Sequence, residues 1–107
     1  MALQTQSGEP YNLHHVDVPP GKGLGVQIER RRREPAGYEI TGIETEGDPF
    51  ILQWNKRSAE TFPDNVIRVG DIIVRVNAAR TQKEIVNVLK QPEEQWLLLI
   101  ARIEVFQ

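Results

Sequence analysis

Few residues in this chain are of types that do chemistry, and their spacing narrows the choice. The only serines are Ser7 and Ser58, the only histidines are His14 and His15, and there is no cysteine. Disulfide frameworks, thiolate metal sites and cysteine nucleophiles are therefore excluded. Neighbours on a strand point to opposite faces, so His14 and His15 cannot chelate one ion together. No elbow motif surrounds Ser58. Catalysis needs an acid, base or nucleophile positioned in a pocket, and no such grouping is legible. The expectation is a non-catalytic protein with no metal and no cofactor.

The informative stretch is Gly21-Lys22-Gly23-Leu24-Gly25. It is not the dinucleotide fingerprint, because Val26 stands where the third glycine belongs, and it is not a P-loop. Alternate glycines let the backbone adopt positive φ and let another chain come close. A Gly-x-Gly turn that exposes successive N–H groups makes a concave anion site. Lys22 adds positive charge, and a carboxylate accepts such bonds strongly because it is ionised. Val26-Gln27-Ile28-Glu29 follows with clean apolar–polar alternation, a half-buried strand. At a sheet edge that strand can pair with an extended peptide. Taken alone, the loop serves equally well as a tight β-connection.

A second feature is the run Arg30-Arg31-Arg32-Arg33, four of the nine arginines in one place. It reads as a solvated hairpin end or as an anionic-surface patch. The patch would attract acidic residues of a ligand or anionic membrane lipids, at about 1 kcal/mol per basic residue near a membrane surface. Nucleic acid is not expected, since the whole chain carries a net charge of −2.

These residues must be positioned by a small body. The chain has 107 residues, 39% of them hydrophobic and 26% charged. That supports one domain with one core. The longest apolar run, Trp96 to Ala101, is far short of the ~20 residues a membrane span needs. Residues 1–10 lack the basic start and apolar middle of a signal peptide. They read as a flexible leader, 11–103 as the domain and 104–107 as a tail.

Along the domain, Tyr11 to Val18 reads as a first strand, with Tyr11, Leu13 and His15, or Val16 and Val18, as its buried face. Pro19-Pro20 ends it. Tyr38 to Ile43 returns from Val26 to Glu29 as a hairpin. Phe50 to Thr61 is ambiguous between a short helix and a variable loop. Val66 to Val69 looks extended, and Ile72 to Val76 is the most β-branched run. Thr81 and Glu84 have capping-box spacing, which predicts a helix from Gln82 to about Lys90 before Pro92. Trp96 to Ile103 reads as a buried last strand, with Trp54 and Trp96 as partial core.

Gly23-Leu24-Gly25-Val26, then Gly70-Asp71-Ile72-Ile73-Val74-Arg75-Val76-Asn77, then the capped helix and a final strand resemble the PDZ domain family in its eukaryotic order. The resemblance covers about Tyr11 to Ile103. It implies an α+β fold, a small partly open β-barrel or sandwich of five to six strands capped by two helices. It also implies a protein-interaction module that takes C-terminal tails of partner proteins, ending in an apolar residue, by β-strand addition. The role would be scaffolding or recruitment in the cytoplasm or at the inner face of a membrane. The alternatives are a membrane- or phosphoinositide-recruiting module using Arg30 to Arg33, and a substrate-recognition domain of a larger enzyme.

By position, the resemblance places the terminal carboxylate on the amides of Leu24, Gly25 and Val26 after Gly23, with Lys22 assisting. Leu24, Val26, Ile28, Val86 and Leu89 would line the pocket for the last side chain. Gln27 and Glu29 would face the ligand's alternate side chains, and Gln82 would read its third residue from the end. Gln82 stands where the family often has histidine. Asn77-Ala78-Ala79 lacks the glycine usual after the asparagine.

Overall fold

The structure is a computed structural model. It describes residues 3–103 apart from Gln6, Ser7, Lys22, Asp48 and Pro92. Alternating and continuous apolar runs build its strands. These are β1 (Leu3–Gln4), β2 (Pro10–Val18), β3 (Val26–Arg31), β4 (Gly37–Ile43), β5 (Ile72–Val76) and β6 (Trp96–Ile103). They form one antiparallel sheet in the order β1-β2-β6-β5-β4-β3. Two helices, α1 (Phe50–Thr61) and α2 (Gln82–Leu89), complete an α+β fold, with a 3₁₀ turn over Pro63–Asn65.

The core lies between sheet and helices. Val16, Val18, Ile40, Ile73, Leu98 and Ile100 come from the strands and are fully buried. Ile51 of α1 and Ile85 of α2 meet them with no exposure. α2 starts where expected because both halves of its capping box form. Thr81 Oγ1 accepts from the Glu84 N–H at 3.2 Å, and Glu84 Oε1 accepts from the Thr81 N–H at 3.2 Å.

The buried face of β2 is the even one. Val16 and Val18 are buried and His14 is half-buried, whereas Leu13 and His15 are exposed. The apolar Leu13 therefore misleads about parity, and the pairing of β2 to β6 from Tyr11↔Ile103 to Val18↔Trp96 decides it. Residues 1–10 include more order than a leader implies, since Leu3 and Gln4 pair with Tyr11 and Pro10. The expected tail, 104–107, lies outside the described residues.

Phe50 to Thr61 is a helix, not a loop. Its N-cap is Pro49, with no side-chain cap, so tertiary packing carries it. Phe50 and Trp54, one turn apart, pack at 6.0 Å between ring centroids. Trp54 Nε1 donates to the Asn65 carbonyl at 2.8 Å. Asn55 clamps Ile67 through both its amide atoms, at 2.8 and 2.9 Å. Val66 to Arg68 therefore lies outside any strand, with the Ile67 backbone groups satisfied by a side chain, and the extended run expected to reach Val69 instead turns there.

A second tie crosses the molecule. Arg102 makes a bidentate pair with the buried Asp71 at 2.9 and 2.8 Å and also donates to the Val66 carbonyl. Asp71 further accepts from the Arg68 N–H at 2.9 Å. At the end of β5, Asn77 takes positive φ itself, +53°. Asparagine tolerates that region better than most residues, so no following glycine is needed. Its side chain accepts from the Leu97 N–H and donates to the Gln95 carbonyl, tying the turn to β6.

Candidate functional site

β3 is the last strand of the sheet, so one of its sides has no strand partner. Just before it, the Gly25 carbonyl accepts from the Glu44 N–H at 2.9 Å. Antiparallel pairs alternate, so the polar backbone groups of Val26, Ile28 and Arg30 point away from β4. That open edge runs alongside α2.

The glycine loop sits at one end of the edge. Gly25 has φ +81°, and a Cβ there would lie 2.5 Å from Pro49 Cβ and 3.2 Å from Ile51 Cγ2. Only glycine meets both demands, so the start of α1 braces the loop. Among the described residues, neither the Leu24 nor the Gly25 N–H donates a hydrogen bond. Lys22, expected to assist, lies outside the described residues. On the loop's other side, Glu44 and Glu46 face it across a cleft shared with Gly47.

At the mouth of the loop is a cleft of about 240 Å³ lined by Gly23, Leu24, Gly25, Val26, Ile28, Leu89 and Trp96. It is smaller than the ~300–1,000 Å³ of typical small-molecule sites, and is the size for one apolar side chain. The structure thus brings together most residues the sequence points to. Val86 is half-buried on α2 but does not line the cleft. Trp96, only 3% exposed, does line it. An apolar strand start reads as plain core. The missed signal is register: Trp96 pairs with Val18, and the loop follows Val18 closely in sequence.

Gln27 and Glu29 are exposed. Gln27 lies over Gly42, its partner across the β3–β4 pair, where a Cβ on Gly42 would collide with the Gln27 carboxamide.

Gln82 is placed differently from expectation. Its Nε2 donates to the Arg31 carbonyl at 2.6 Å and to the Gly37 carbonyl at 3.1 Å, and its Oε1 accepts from Arg30 Nε. The Gln82 backbone carbonyl accepts from Tyr38 Oη at 3.2 Å. The side chain therefore bridges α2 to the far end of the β3–β4 hairpin, with both amide N–H groups spent.

The arginine run divides. Arg31 is buried, paired with Glu39 at 2.6 Å and bonded to the Glu34 carbonyl. It does not join a four-arginine surface patch. Arg30 turns to Gln82, and Arg32 and Arg33 are exposed.

Comparison with solved structures places this architecture. A structure described as the complex of INAD PDZ45 and NORPA CC-PBM matches with a TM-score of 0.57 at 16% identity, over 89% of this chain and 44% of that one. This chain therefore spans less than half of that neighbour's length. At that identity the likeness is one of fold, and the fold is PDZ-like. No protein family and no curated protein matches the sequence.

Proposed function

We propose that this chain is a non-catalytic interaction module that takes up the C-terminal tail of a partner protein as an added strand beside β3. One observation carries the reading: the unspent Leu24 and Gly25 amides stand at the mouth of an apolar cleft, at one end of an open strand edge. Amides of that kind suit a carboxylate, the cleft suits an apolar last side chain, and the edge supplies backbone bonds to the residues before it. The fold neighbour is itself described as a complex, of INAD PDZ45 and NORPA CC-PBM. The same groove serves a scaffold or the recognition part of a longer enzyme.

The test is a screen of immobilised peptides with free C-termini, repeated with amidated copies. The expected result is a consensus ending in an apolar residue that disappears on amidation. Equal binding to both sets would overturn the reading.

A further inference from the structure

The far end of the groove holds a second polar group with unspent donors, and its chemistry differs from that of the loop. Arg30 uses only its Nε, on Gln82. Its two terminal NH₂ groups meet no partner among the described residues. Arg30 lines an open cleft of about 440 Å³ with Arg31, Arg32, Ala36 and Gln82. Of the other polar groups there, the Arg31 Nε is buried without a partner among the described residues, and Arg32 is exposed. Arg31 serves Glu39 and the Glu34 carbonyl, and the Gln82 N–H groups serve the hairpin carbonyls. Gln82 therefore has no N–H left for a ligand hydroxyl.

We propose that this cleft reads an acidic side chain at the fifth residue from the end of a bound tail, through the Arg30 guanidinium that Gln82 holds in place. The proposal rests on the tail-binding reading above. Its register follows from strand geometry. A tail ending at the loop and running antiparallel to β3 sets its last residue opposite Val26, its third from last opposite Ile28 and its fifth from last opposite Arg30. Side chains alternate with period two, so these three share the groove face. The second and fourth from last turn to the other face, where Glu29 stands exposed. A guanidinium held by one bond still presents a planar fork that fits a carboxylate. The Gln82 head lies at the Arg31–Gly37 pair, three residues past Ile28 and ~10 Å along the strand. It therefore positions Arg30 and does not reach the third residue.

The experiment uses the whole chain and three peptides with the same apolar free C-terminus. They carry Glu at the fifth position from the end, Gln at that position, or Glu moved to the fourth. Affinities are measured by fluorescence anisotropy at low and physiological salt. The Glu-fifth peptide should bind about three- to fivefold tighter than the Gln peptide, the scale of an exposed ion pair. Salt should shrink that advantage. R30Q should abolish it, so that the Glu and Gln peptides bind R30Q alike, with thermal melting to show that the variant is folded. Equal binding of the Glu and Gln peptides, an advantage that survives in R30Q, or a larger effect at the fourth position would each overturn the proposal alone. Failure of all three peptides to bind would overturn the groove reading and the proposal with it.

Discussion

At the scale of single residues, the candidate site separates into parts that fold the protein and parts that, on the tail-binding reading, would meet a ligand. Gly25 does both. A side chain there is strained by the positive φ and collides with Pro49, so G25V should lose tail binding and melt at a lower temperature. Leu89 is half-buried and lines the cleft wall. L89A should therefore weaken tail binding by about tenfold, the scale of a buried contact residue worth more than 1 kcal/mol, while the fold survives. Peptide titration beside thermal melting separates the two outcomes. If L89A binds like the parent, the cleft does not hold the last side chain.

At the scale of elements, α2 is one wall of the groove, and its start is set by one side chain. Removing the cap with T81A should cost about 1 kcal/mol of stability, read as a lower denaturant midpoint with unchanged slope. The same capping box was the clearest helix signal in the sequence, because it is local: Thr81 and Glu84 need no tertiary partner. β5 and β6 were legible for a similar reason, since Ile72 to Val76 and Trp96 to Ile103 are mostly apolar runs, each interrupted by a single arginine and bounded by polar turns. α1 was not, because nothing in Pro49-Phe50-Ile51 caps a helix. Its order comes from Ile51 in the core, from Trp54 against Phe50 and Asn65, and from Asn55 on Ile67. The role of Gln82 was equally hidden. Its spacing on the helix marks the groove face, but the carbonyls that capture its amide lie some forty-five to fifty-one residues away.

At the scale of the whole molecule, one buried polar region joins the sheet to the segment that follows α1. Its tie is the Asp71–Arg102 pair, and His14 lies within it. Neither ring nitrogen of His14 is accessible or has a hydrogen-bond partner among the described residues. Burial, then the Arg102 charge, hold the imidazole below its ordinary 6.5, with a smaller contribution from His15, while Asp71 and Asp64 pull the other way. A depressed folded pKa means that the unfolded chain takes up the proton first. The stability tied to neutral His14 is therefore full above about pH 6.5 and is lost as pH falls from there through the folded value. Melting temperatures should drop as pH falls below about 6.5, and H14F should flatten that part of the profile. An unchanged slope in H14F would place the acid sensitivity elsewhere.

The bridge from Gln82 to the hairpin carbonyls also sets a limit on what can enter. A chain laid along β3 has the loop at one end and the Gln82 head at the other, so the accommodating stretch is about five residues, or ~17 Å. On the proposed reading, the requirement placed on a partner is thus one of reach: its terminus would have to project about that far, extended and unencumbered, from whatever folded body bears it.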